Sequence, residues 1–130
     1  MVIEQHKSLL PYNSFHIDVM ADQFVSVSDG DQLREALQKD PGNSASILGG
    51  GSNILFTKNV KGLVLKPDIR GIDLIKENES HVYVRAGAGE NWHSFVLYSI
   101  GRNWGGQENL SLIPGNVGAE PIQNIGAYGV

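Results

Sequence analysis

The chain has 130 residues, 41% of them hydrophobic and 18% charged, enough to build a globular core and too apolar for a disordered tail. Its formal net charge of -4, with the ten Lys and Arg scattered, excludes a protein that neutralises nucleic-acid phosphates. Cysteine is absent, which excludes disulfides, thiolate catalysis and Cys-ligated zinc, and no apolar run approaches the ~20 residues that cross a bilayer.

Met1-Val2-Ile3-Glu4-Gln5-His6-Lys7 lacks the charged-then-apolar order of a secretory signal, so a soluble cytoplasmic protein is expected. Residues 23–27 (Gln-Phe-Val-Ser-Val) predict a short strand, since β-branched and aromatic side chains dominate. Asp29 follows as a helix N-cap with Gln32 completing a capping-box pattern, and Leu33, Ala36 and Leu37 form the apolar face. Asp40-Pro41-Gly42 stops that helix. Ser44–Leu48 predicts a buried strand, and Ile54–Phe56 and Leu63–Leu65 predict two more. Pro67–Gly71 is the expected joint between a first subdomain, 1–66, and a second, 67–130. Ile72–Ile75 and Val82–Ala86 flank the polar turn Glu77-Asn78-Glu79-Ser80 as a hairpin, with Val82, Val84 and Ala86 on the buried face. Trp92, Phe95, Val96, Ser99 and Ile100 share one face of a second helix that Gly101 caps. From Gly101 to Val130 there is no periodicity. Trp104, Leu110, Leu112, Ile113, Val117, Ile122, Ile125 and Tyr128 are too apolar for a disordered tail, so an ordered, ligand-lining loop is expected. The class is α+β.

Three glycine-rich segments carry the chemistry. In Leu48-Gly49-Gly50-Gly51-Ser52-Asn53 a strand runs into consecutive backbone N–H groups, a concavity suited to phosphate oxygens, with Ser52 and Asn53 as further donors. The apolar Ile54-Leu55-Phe56 that follows excludes a dinucleotide fingerprint opening a helix, and no Walker lysine is present. Taken alone, the run reads as a plain tight turn. Gly87-Ala88-Gly89-Glu90-Asn91-Trp92 is either a plain strand–helix connection or a helix N-terminus facing a ligand, and Trp92 reads as core. In Ile113-Pro114-Gly115-Asn116-Val117-Gly118 and Pro121-Ile122-Gln123-Asn124-Ile125-Gly126-Ala127-Tyr128-Gly129, small residues let backbone approach a flat ring whose edge Gln123 and Asn124 could hydrogen-bond. His6, His16, His81 and His93 lack metal-ligand spacing and read as surface or singly bonded side chains, so no metal site is expected. Neither a Ser-His-Asp arrangement nor a catalytic carboxylate pair stands out.

In this order, the three segments resemble the UDP-N-acetylenolpyruvoylglucosamine reductase family. The strongest match is Gln107–Gly118 running on to Asn124-Ile125-Gly126-Ala127-Tyr128-Gly129, and Tyr12-Asn13-Ser14-Phe15 with Ala21 is similar to the family's Asn-Thr-Phe opening. Ser14 and His16 depart from the family's usual Thr and Gly, and Glu120 stands where small residues are usual. The resemblance implies an FAD-binding fold of the vanillyl-alcohol oxidase type, two small α+β subdomains with FAD between them. It implies that Gly49, Gly50, Gly51, Ser52 and Asn53 hold the FAD diphosphate. Ile113, Pro114, Gly115, Gly118, Gln123, Asn124, Gly126, Ala127 and Tyr128 would then lie along the isoalloxazine. The glycine loop has no histidine for covalent flavin attachment. The implied reaction is reduction of UDP-N-acetylglucosamine enolpyruvate to UDP-N-acetylmuramate with NADPH, in peptidoglycan precursor synthesis. The family's catalytic arginine, serine and glutamate all fall after the position of Val130. The chain alone is therefore expected to lack both catalytic residues and substrate domain, and to be inactive. A stand-alone flavin or nucleotide module, or another flavin oxidoreductase of the same fold, is the alternative.

Overall fold

The computed structural model describes residues 1–40, 42 and 44–127, and they divide into two compact units, Met1–Ile69 and Arg70–Val130. In the first, β1 (Glu4–Ser8) pairs antiparallel with β2 (Met20–Val27), α1 spans Gly30–Gln38, and β3 (Ser46–Ile47) and β4 (Val60–Pro67) follow. The sheet order is β1-β2-β4-β3, with β4 parallel to both β2 and β3. The inner strands β2 and β4 are apolar on both faces because both faces are covered. Phe24 and Val64 pack with Leu9, Val19, Ala21 and Leu48 on one side. Their neighbours Val25 and Leu65 pack with Val27, Ala36 and Leu63 on the other. A register shift between Ala21 and Gln23 lets Ala21 share a face with Phe24, three residues on.

α1 begins as its sequence predicts. The Asp29 carboxylate accepts from the Gln32 N–H (2.8 Å), and the Gln32 side-chain carbonyl reaches back to the Ser28 N–H (3.1 Å). Its apolar face is narrower than expected: Ala36 is buried and Leu33 partly so, but Leu37 is exposed. The helix ends at Gln38, before Asp40.

Two strand expectations fail. The predicted buried strand Ser44–Leu48 is only a two-residue edge strand with Ile47 exposed, and Leu48 alone is buried. Ile54–Phe56 forms no strand. Its alternation covers a sheet face instead: Ile54 and Phe56 pack on the first cluster while Leu55 points outward.

In the second unit β5 (Ile72–Glu77) and β6 (Val82–Ala86) form the predicted hairpin, with Asn78 accepting from the Ser80 and His81 N–H groups in its turn. Val82, Val84 and Ala86 are half-buried and Tyr83 and Arg85 exposed, as the alternation requires. α2 (Trp92–Gly101) is capped by Asn91, whose side chain accepts from the Ser94 N–H (2.9 Å). Trp92, Phe95, Val96 and Ser99 are buried, whereas Ile100 is not, and Arg102 rather than Gly101 is the C-cap. Trp92 is core, its indole N–H donating to the Leu110 carbonyl (2.8 Å). Among the described residues after α2, the only helical elements are short 3₁₀ turns at Glu108–Leu110 and Val117–Ala119. Leu110, Ile113, Val117 and Ile125 nevertheless pack against the Trp92 cluster, so the segment is ordered by its apolar side chains. Leu112 (77% exposed) and Ile122 (87%) are exceptions, left in solvent against expectation.

Candidate functional site

The glycine loop of the first unit leaves the end of β3 and is pinned from below. Gly51 is buried at φ 72°, and its carbonyl accepts from the Ser14 N–H (2.9 Å). A Cβ at Gly51 would run into the Tyr12 carbonyl oxygen. The Tyr12–Phe15 segment is itself fixed by Asn13, which is buried. Its amide donates to the Leu9 and Ile17 carbonyls (2.8 and 3.0 Å) and its oxygen accepts from the Ile17 N–H (3.0 Å). The Asn-Ser-Phe opening is thus the floor of the glycine loop. Gly50 is exposed and Gly49 and Ser52 half-exposed. None of the backbone N–H groups from Gly49 to Asn53 donates to another described residue. Lys66 adds a cation: its ammonium donates to the Gly49 carbonyl (3.1 Å). Sequence reasoning missed this lysine, though the parallel register Ile47↔Leu65 carries it to the strand end where the loop begins.

In the second unit the other two glycine segments prove to be one feature. Residues 88–92 and 115–118 run antiparallel, through Trp92 N–H to Gly115 carbonyl (3.0 Å), Val117 N–H to Glu90 carbonyl (2.9 Å) and Gly118 N–H to Ala88 carbonyl (3.0 Å). Gly118 is required there, since a Cβ would lie 2.6 Å from that of Ala88. Glu90 ties the strip to β5, accepting from the Gly71 N–H (2.7 Å). Of the residues expected along the ring, Ile113 packs in the core, while Pro114, Asn124, Gly126 and Ala127 are exposed and Gln123 is half-buried. Tyr128 lies outside the described residues.

Two further side chains sit otherwise than the sequence suggests. His93 is not singly bonded: its Nδ1 lies 2.9 Å from the Ser111 hydroxyl and accepts from the Leu112 N–H (3.1 Å), fixing Leu112 at φ 65°. Glu120 is 2% exposed, neither carboxyl oxygen has a hydrogen-bond partner among the described residues, and burial raises its pKa. It lies against Gly115 (φ 137°), where an added Cβ would come within 2.5 Å of Oε1. A cavity of about 670 Å³ lies along β6 between Arg85, Phe95 and Trp104 and touches the predicted ring-lining stretch only at Val117. No group of acidic or histidine side chains suited to a metal occurs among the described residues, and no described helix is long and apolar enough to cross a membrane.

The chain is similar to known proteins over nearly its full length. It is 49% identical over 129 residues to the UDP-N-acetylenolpyruvoylglucosamine reductase of Flavobacterium johnsoniae, covering 99% of this chain and 38% of that protein. To the reductase of the same name from Pseudomonas putida it is 46% identical, covering 98% and 38%. It therefore spans about two fifths of the length of the curated relatives it matches. The crystal structure of the Thermus caldophilus reductase superposes with a TM-score of 0.73 at 22% identity, over 98% of this chain and 44% of that one, which supports the α+β fold. The family model described as an FAD binding domain matches residues 21–130, all but the first strand and the turn after it. By that match, the chain belongs to the FAD-binding domain family.

Proposed function

We propose that the chain is the FAD-holding part of a UDP-N-acetylenolpyruvoylglucosamine reductase, which reduces UDP-N-acetylglucosamine enolpyruvate with NADPH in cytoplasmic peptidoglycan precursor synthesis. The observation that carries the reading is the row of uncommitted amides from Gly49 to Asn53 beside the Lys66 ammonium. Such a row offers several N–H donors and a positive charge to one polyanion, which fits a cofactor diphosphate. FAD, when bound, would supply hydride transfer; the chain's residues bind and orient it. Gly49–Asn53 and Lys66 would hold the diphosphate. The strip around Gly115 and Gly118 would lie along the isoalloxazine, with Gln123 and Asn124 toward its polar edge. The high identity to reductases of that name supports the substrate assignment.

Gly50 gives the cleanest test, because Gly51 is needed for folding whether or not a ligand binds. Protein incubated with FAD and desalted should stay yellow, and acid should release the flavin intact, since the loop holds no histidine to bond it. Gly50→Val should weaken FAD binding by about tenfold or more, through loss of one or two charge-assisted hydrogen bonds. Failure to retain flavin, or unchanged affinity in a folded Gly50→Val variant, would refute the assignment. Residues 1–130 alone should bind FAD without forming the lactyl ether product, and product at the rate of the longer protein would show that the acid lies within them.

A further inference from the structure

The flavin reading does not use Glu120. This carboxyl is buried within the Ile113–Ile125 loop, its oxygens without a hydrogen-bond partner among the described residues and Oε1 close to where a Cβ on Gly115 would lie. Neutral, such a group is a tolerable burial; ionised without a hydrogen bond, it is among the costliest. The charged and titratable groups on the elements around it are engaged elsewhere. Glu90 accepts from the Gly71 N–H and faces Arg70 (3.9 Å), and Nδ1 of His93 is held by Ser111 and Leu112. Burial raises the pKa of Glu120. The loop is held down by the packing of Ile113, Val117 and Ile125 on the Trp92 cluster and by three backbone hydrogen bonds between residues 115–118 and 88–92.

We propose that Glu120 is a proton-operated latch on this loop: neutral, it permits closure against residues 88–92, and ionised, it drives the loop open. Its coupling to cofactor affinity rests on the assignment of the loop to the isoalloxazine above; the latch itself does not. The sign follows from the raised pKa of the closed form. Below the ordinary carboxylate range both forms are protonated and closure is strongest. As pH rises, the open loop ionises first, so closure weakens until the raised pKa is passed and then levels off. Each unit separating the two pKa values changes the opening equilibrium about tenfold.

The test is amide hydrogen exchange of peptides covering 113–125, from pH 4 to 8 and corrected for intrinsic exchange, in the wild-type protein, Glu120→Gln and Glu120→Ala. The wild type should show an added pH-dependent opening that levels off, and both variants should show none. Exchange without that component, or the same component in both variants, overturns the latch. FAD titrations over the same range separate the two ideas. Affinity that falls with pH in the wild type and not in the variants supports the coupling. A latch seen by exchange while FAD affinity stays flat overturns the placement of this loop on the flavin and leaves the latch standing.

Discussion

Replacing Gly51 with alanine tests the proposal that the glycine loop rests on the Tyr12–Asn13 floor. The new Cβ would meet the Tyr12 carbonyl oxygen and stand 2.8 Å from its carbon and 2.9 Å from the Asn13 α-carbon, all backbone atoms that cannot rotate away. At φ 72° alanine also bears the left-handed penalty, about 1–2 kcal/mol. Relief requires the loop to lift, which breaks the Ser14–Gly51 hydrogen bond, worth about 1 kcal/mol. Overpacking against the floor adds about 1–3 kcal/mol. A loss on the order of 4 kcal/mol follows, a large share of the ~5–15 kcal/mol that holds a domain folded. Gly30→Ala is the matched control. It opens α1 with nothing within 4 Å of the added Cβ, so the same change there should stabilise by about 0.5 kcal/mol. Both tryptophans, Trp92 and Trp104, lie in the second unit, so urea unfolding should be followed by exchange of peptides from 1–69. A Gly51→Ala protein as stable as wild type would refute the argument that the loop is packed onto that floor.

Asn13→Ala should cost about 2–3 kcal/mol by the same assay, because it strands the buried Leu9 and Ile17 backbone groups that Asn13 satisfies. His16→Gly should instead raise the urea midpoint, by about 0.5–1 kcal/mol in stability, since exposed His16 sits at φ 53°, a conformation glycine adopts without penalty. Gly118→Ala, whose Cβ would press on Ala88, should separate residues 115–118 from 88–92 and destabilise the second unit by about 2 kcal/mol, read by tryptophan fluorescence.

Local rules were legible wherever the deciding contacts are close in sequence. The Asp29–Gln32 capping pattern, the hairpin around Asn78 and the face of α2 from Trp92 to Ser99 all depend on neighbours within a few residues, and the structure realises each. The segments Ile54–Phe56 and Ser44–Leu48 show the limit. Their apolar composition fits a strand, but whether such a segment pairs along its length or instead covers a sheet face is decided by tertiary context.

The site divides along the same line. The sequence by itself determined that three glycine-rich segments occur in a family-specific order, because glycine records where backbone must bend or come close. It could not distinguish the glycine that packs on the floor, Gly51, from its exposed neighbour Gly50, since the difference lies in a segment nearly forty residues upstream. Only the tertiary structure joined Ala88–Trp92 to Gly115–Gly118, brought Lys66 to the glycine loop through a parallel register, and enclosed Glu120 with no hydrogen-bond partner among the described residues. Those facts arise from contacts between distant residues, whose energies depend on where the chain returns and leave no mark in its local pattern.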